Sequence, residues 1–285
     1  MSFAERVRAL PRLGLGVSTE YGATRSLGAL DIATLRSKFP LYAGFLEVGV
    51  EVAKGLDADT ERWVASGAPT TYHFLDLNLD EPEDFDDDWL TGVNASVARL
   101  RPAWMCGDAG LWHFGRRDRG QMLLLPPILS DAQASSMAEG VSRLRAATGL
   151  EVLPENPPGS AYVGPLHLLE FFARLCDRAD TGMLLDCAHL AIFQAARGHE
   201  ALDGLADFDL SRVVEIHVAG GRKRSVGGFS WIEDEHSPSI LPETWRIVEH
   251  VIPRARNLRA IVFECERCRL PEVIPAFRRL EALWG

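Results

Sequence analysis

The sequence predicts an α/β fold, a closed parallel barrel of eight βα units, and three observations predict it. Short apolar, β-branched or Leu-rich runs recur along the 285 residues. Amphipathic stretches of helical period lie between most of them, the pattern of strands joined by crossover helices. The turn after the first run, GLGVSTEYG, lacks the G-x-G-x-x-G fingerprint that a doubly wound sheet usually carries there. Barrels of this class commonly use about 250 residues as one domain, so residues 1–285 are read as a single (β/α)8 TIM barrel.

The expected strands are Leu13–Val17, Gly44–Val52, Thr71–Leu77, Ala103–Cys106, Leu150–Leu153, Met183–Asp186, Val213–Val218 and Ala260–Phe263. Helical periodicity marks Ser130–Thr148, Pro165–Ala179 and Pro242–Ala255. SDAQ at Ser130 and LPETW at Leu241 are plausible helix starts, with an acid or a proline in the first turn. No low-complexity tract, linker or internal repeat interrupts the alternation.

Composition narrows the function. The chain is 47% hydrophobic and 25% charged, as expected of a globular protein with material for a core. A net charge of -10 argues against nucleic-acid binding, which rests on Lys and Arg neutralising phosphates. The acidic run DEPEDFDDDW (residues 80–89) reads as a solvated loop. No apolar run approaches the roughly 20 residues of a membrane span, and MSFAERVRALPRLG lacks a signal-peptide core. A cytoplasmic location is expected, and the five cysteines do not suggest a disulfide framework.

In such barrels the chemistry sits at the C-terminal strand ends. The third strand ends in TTYHF, presenting His73, and the fourth in CGDAGLWH, with Asp108 and His113. The fifth gives Glu155 and Asn156 from LPENPP, and the sixth gives Asp186 and His189 from LLDCAH. The seventh carries His217, and its loop WIEDEHSPS adds Asp234 and His236. The eighth, VFECERC, ends in Glu264 and Glu266, interleaved with Cys265 and Cys268. Strand alternation turns both glutamates to one side and Cys265 to the other, and no second Cys or His pair stands at zinc-knuckle spacing. The glutamates are therefore preferred over the C-x-x-C pair.

Each residue alone has a plain structural explanation, as a hydrogen-bonded histidine or a helix N-cap. Together they place carboxylates and imidazoles at the ends of six consecutive βα units, and burying so many unpaired charges is costly. A metal relieves that cost, and mixed oxygen and imidazole donors suit iron, manganese or zinc. The number of donors exceeds what one octahedral ion uses, so two or three ions are expected. The basic segment GRKRSVGG brings Arg222 and Arg224 near the predicted mouth, where they could bind a substrate carboxylate or steer an acidic peptide; a solvated glycine-rich loop explains them equally well.

Read together, PENPPGSAY, GMLLDCAHL, EIHVAGG, IEDEHSPS and VFECE resemble the ordered motifs of the multinuclear non-heme iron-dependent oxidases, a family of xylose-isomerase-like barrels. The resemblance runs from about His73 to Glu266. It implies iron ligands among His73, Asp108, Glu155, Asp186, His217, Asp234, His236 and Glu264, with Asn156 and His189 as close neighbours or additional ligands; Asp234, His236 and Glu266 are taken as the catalytic set, Glu266 supporting a ligand or touching substrate. It also implies two or three iron ions of mixed Fe(II)/Fe(III) valence, O2 as co-substrate, and a ribosomally made precursor peptide as substrate, often modified at cysteine. A separate leader-binding partner protein is expected as well. The chain departs from the family in having Ala109 where a His is usual, with His113 a possible substitute, and in having Ala188 and His189 where the family has Asn-Asn. Two other readings stand beside it. One is a metal-dependent isomerase or hydrolase of xylose-isomerase or AP-endonuclease type; the other is a non-catalytic relative that binds a peptide or partner.

Overall fold

The computed structural model describes residues 1–19, 29–115 and 119–285. Its strands are β1 (Gly14–Thr19), β2 (Phe45–Val50), β3 (Thr70–Phe74), β4 (Met105–Asp108), β5 (Val152–Glu155), β6 (Met183–Asp186), β7 (Val213–Ala219), β8 (Gly221–Val226), β9 (Phe229–Asp234) and β10 (Ala260–Glu264). Its helices are α1 (Phe3–Ala9), α2 (Ile32–Lys38), α3 (Ala58–Ala65), α4 (Asp87–Leu100), α5 (Asp131–Thr148), α6 (Leu168–Ala179), α7 (Cys187–Arg197), α8 (Pro242–Val251) and α9 (Leu270–Trp284). Among the described residues, β1 to β7 and β10 close into an eight-stranded barrel, with β10 joining β7 to β1. Every barrel pairing is parallel. The fold is that of the expected (β/α)8 barrel.

Local chemistry sets the helix ends. Ser130 caps α5 by accepting from Gln133 N at 3.2 Å, and Gly149 ends the helix in the left-handed region at φ 73°. Proline occupies the first turn of both α8 and α9, where its missing N–H is not needed. The third strand stops at Phe74, short of the expected Leu77, because Asp76 leaves the ladder to accept from Val52 N at 2.8 Å. The acidic run is not merely a solvated loop. Asp86 caps α4 through Trp89 N at 2.8 Å, and buried Asp84 accepts from Asn78 N at 2.9 Å.

Two apolar layers surround the strands. The outer one packs helices on the barrel, for example Phe171 and Leu175 of α6 and Phe277 of α9, all fully buried. The inner one fills the base of the barrel with Phe45, Trp104, Leu153, Leu184 and Val262, plugged from below by Phe3 and Val7 of α1. The apolar filling therefore ends part-way up the barrel, and the mouth is left to polar side chains. No helix among the described residues is long and apolar enough to cross a membrane.

Candidate metal centre

Each barrel strand that reaches the mouth delivers one interior side chain there. Glu47 comes from β2, His73 from β3, Asp108 from β4 and Glu155 from β5; Asp186 comes from β6, His217 from β7 and Glu264 from β10. Asp108 is in register with Glu155 and Asp186 with His217, whereas Glu47 is paired with Thr71, His73 with Cys106, Glu155 with Leu184 and His217 with Val262, so the remaining neighbours step by two residues around the barrel. The segment from β7 to α8 folds back as the antiparallel ribbon β8–β9, which returns Asp234 to the mouth. His236 follows in the left-handed conformation at φ 47°, which turns its ring inward. A cavity of about 310 Å³ is lined by Glu47, His73, Asp108, Glu155, His189, Asp234, His236, Glu264 and Glu266 together with Ser18, Leu75, Trp112, Met122 and Leu124, and Asp186 and His217 are fully buried outside that lining.

His217 sits among the carboxylates. Its Nε2 lies 3.0 Å from Glu47, and its Nδ1 lies 3.3 Å from Glu155 and 3.4 Å from Glu264. His73 Nε2 is 2.8 Å from Glu155, and its ring stacks on that of His217 with centroids 5.9 Å apart. His189 Nδ1 is 2.9 Å from the Asn156 carbonyl, which leaves Nε2 facing Asp234 at 3.2 Å. His236 lies between Glu266, 3.0 Å from Nδ1, and Asp234, 3.1 Å from Nε2; Glu266 also accepts from the Ser18 hydroxyl.

The electrostatics are those of a site with too many carboxylates for its cations. Burial opposes charge on His73, but the Glu155 hydrogen bond and the Glu47, Glu155 and Asp108 carboxylates outweigh it, and its pKa is pushed up to about 9. His189, His217 and His236 are raised in the same way by the acids around them, against their burial. Burial, with Glu264 and Glu155 adding repulsion, pushes Asp186 up to about 7. Glu155 goes the other way: despite its burial, His217 and His73 hold it well below the usual carboxylate range. Without a metal, then, protons occupy the imidazoles and some of the acids.

Those protons do not satisfy the site. Asp108 Oδ1, Asp186 Oδ2, both ring nitrogens of His217, Asp234 Oδ1 and Glu264 Oε2 are buried without a hydrogen-bond partner among the described residues. The short His217–Glu47 approach lacks hydrogen-bond alignment. Each unmet group costs about 1–3 kcal/mol, and a cation at their focus would meet them together. Ligand-sized groupings occur at His73, Asp108 and Glu155; at Glu155, Asp186 and His189; at Glu47, His217 and Glu264; and at His236, Glu264 and Glu266. Glu155 and Glu264 each belong to two of them, as carboxylates bridging neighbouring ions do. The donor set fits a multinuclear metal centre.

Residues 31–281 match the family described as RiPP precursor modification enzyme MbnB/TglH/ChrH. The chain belongs to that family. It is similar to UPF0276 proteins, among them one of Rhizorhabdus wittichii, 25% identical over 82% of this chain and 85% of that one. Another, of Bordetella pertussis, is 26% identical over 85% of this chain and 81% of its own. Among solved structures, a xylose isomerase-like TIM barrel protein from Mycobacterium smegmatis in complex with magnesium aligns with TM-score 0.60 at 10% identity, covering 98% of this chain and 99% of that one. The IOLI protein with a bound zinc atom aligns with TM-score 0.55 at 13% identity, covering 95% of each chain. At such identities these structures show the fold.

Within this RiPP-modification family member, the structure brings His73, Asp108, Glu155, His189, Asp234, His236, Glu264 and Glu266 around one cavity, with Asp186 and His217 grouped against Glu155 and Glu264. Asn156 is engaged differently from the expected ligand. Its amide nitrogen donates to the Asp186 carbonyl and its oxygen accepts from Asp186 N, both at 2.9 Å, so it braces Asp186. His113 does not replace the imidazole missing at Ala109. It is fully buried elsewhere, its ring between Asp84 at 3.0 Å and the Gly115 carbonyl at 2.7 Å. Arg222 and Arg224 do not line the metal cavity. They stand on the ribbon paired with Glu235 at 3.0 Å and Glu233 at 2.7 Å, and Arg224 and Trp231 border a separate cleft of about 420 Å³. Cys265 joins the outer core and Cys268 donates to the His236 carbonyl; neither contributes to a metal-ligand grouping among the described residues.

Glu47 was not among the expected ligands. Its signal is a single acid inside FLEVGV, an otherwise apolar strand, at the parity that faces the barrel interior.

Proposed function

We propose that this chain is a multinuclear, iron-dependent oxidase that uses O2 to modify a ribosomally synthesised precursor peptide, with a separate protein holding the peptide's leader. The observation that carries the reading is the convergence of carboxylates and imidazoles at one barrel mouth, with buried ligand atoms that lack a hydrogen-bond partner among the described residues. Membership of a family of RiPP precursor modification enzymes supports the peptide substrate. His73, Asp108, Glu155, Asp186, His189, Glu47, His217, Asp234, His236 and Glu264 would hold two or three ions. Bound iron would supply Lewis acidity and one-electron redox chemistry towards O2.

The chain's own residues do the rest. A cavity of about 310 Å³ lies at the lower limit of ligand pockets, so it admits one extended residue of a peptide and not a folded segment. Leu75, Trp112, Met122 and Leu124 give that residue an apolar wall and exclude water, while the acids form the floor. His236 is the most accessible of the site imidazoles, its side chain 25% exposed against 10% for His73, 5% for His189 and none for His217. Glu266 holds its Nδ1, and the Ser18 hydroxyl donates to Glu266, so this pair orients the His236 ring and can take up its Nδ1 proton.

The test is metal analysis of protein purified without oxygen. Two or more irons per chain with a mixed-valent signal are expected, and His217→Ala and Asp234→Ala should each lower that content. A single zinc or manganese would point instead to isomerase or hydrolase chemistry. Wild-type loading in both variants would defeat the assignment of the site.

A further inference from the structure

Beneath the mouth lies a second polar group that the proposed oxidase chemistry does not use. Cys106 stands two residues before Asp108 on β4, and Glu215 two residues before His217 on β7. Strand alternation therefore puts both on the inner face one step down, about 6.6 Å below the ligands that follow them. Cys106 Sγ lies 3.1 Å from Glu47 Oε2, the oxygen that does not face His217. Glu47, Cys106 and Glu215 each offer an atom within 4.8 Å of the others, and exposure is 1% for Glu47 and nil for the other two.

This group is built but incomplete. Trp104 Nε1 donates to Glu215 Oε2 at 2.6 Å and sets the carboxylate's orientation, as a second-layer donor does for a metal ligand. Glu215 Oε1 is buried without a hydrogen-bond partner among the described residues. So is the hydroxyl of Thr71, the register neighbour of Glu47 on β3. The aromatic floor of Phe45 and Trp104 closes the space from below. Glu47 also lines the mouth cavity, which gives an ion a way in.

We propose that Glu47, Cys106 and Glu215 form an inner binding site for one thiophilic divalent cation of the zinc, cobalt or ferrous class. Two carboxylate oxygens and one thiolate make a three-ligand set, and the sulfur selects against magnesium and calcium. The step down the strands makes this ion distinct from those at the mouth. The inference rests on the proposed metal centre only through Glu47, which would be shared between inner and outer ions.

Metal-stripped protein loaded with cobalt(II) under anaerobic conditions tests it. Wild type should show a thiolate-to-cobalt charge-transfer band in the near ultraviolet. That band should vanish in Cys106→Ser and persist in Cys268→Ser, whose thiol lies beside His236. Cys106→Ser should bind one cobalt fewer per chain, and so should Glu215→Gln, which can keep the Trp104 hydrogen bond. Cobalt bound without the band, or a band that survives Cys106→Ser, overturns the inner site and leaves the mouth centre standing. A wild-type chain that binds no cobalt overturns both.

Discussion

At the scale of single residues, the proposed metal centre would set protons and metal in competition for the same atoms. His73 in the metal-free protein is pushed up to about 9 from an ordinary 6.5, so the folded state binds that proton more tightly than the unfolded state. The resulting stability is fully present below about pH 6.5 and is lost as pH rises through about 9. His189, His217 and His236 shift in the same direction and add to the effect. Metal-stripped protein should therefore melt a few °C lower at pH 9 than at pH 6.5, the scale of about 1–2 kcal/mol in a chain of this size. Metal-loaded protein, whose imidazoles are already deprotonated by coordination, should change less. Circular-dichroism melts in chelator and in metal would decide; parallel curves would refute the account. The same scale decides the place of two residues that the sequence left open. Asn156 is a close neighbour that braces Asp186 through its amide, and His113 is held away from the mouth, its ring beside Asp84 and the Gly115 carbonyl. A linear pattern does not show which partner reaches a side chain first.

At the scale of elements, several ligands also hold structure. Asp186 caps α7 by accepting from His189 N at 2.6 Å, so one carboxylate both starts the helix and fixes the ligand three residues on. Asp186→Asn keeps a good cap and should leave metal-stripped stability within about 0.5 kcal/mol of wild type, whereas Asp186→Ala should cost about 1–2 kcal/mol. Both should lower metal content, read by denaturant titration of stripped protein alongside metal analysis. Full metal loading in Asp186→Asn would remove Asp186 from the ligand set. The ribbon shows what sequence could only partly supply. Asp234 and His236 were visible as a polar loop after the seventh strand, but only the β8–β9 pairing, with Gly221 opposite Asp234, carries them back over the mouth. The same pairing sets Arg222 and Arg224 among the ribbon's own glutamates, where they are neutralised.

At the scale of the whole molecule, the barrel separates stability from chemistry along its axis. The base is apolar and tightly filled. A Cβ at Gly16 would lie 2.4 Å from the Phe45 ring, so the ring lies over β1 there only because the side chain is absent. Gly16→Ala should destabilise the fold by about 1–3 kcal/mol through overpacking. Phe45→Leu in the same chain should recover part of that loss, and metal content should stay at the wild-type level because the mouth lies above this layer. Denaturation midpoints of the single and double variants check it; a Gly16→Ala protein as stable as wild type would show that the floor is looser than its geometry indicates.

What the sequence by itself determined is the order of the parts. Eight apolar runs separated by amphipathic stretches can bury their faces only as parallel strands behind helices. The polar residues that finish those runs must then share one end of the barrel. Carboxylates and imidazoles crowded there already implied a metal, because nothing in a folded interior neutralises them as cheaply. The tertiary structure alone decided which of them meet. Interior parity recruits Glu47 from an apolar strand, backbone groups claim Asn156, Asp84 takes His113, and the ribbon returns Asp234 and His236. Ligation depends on distances of a few Å between residues up to about two hundred positions apart, and those distances exist only once the barrel has closed.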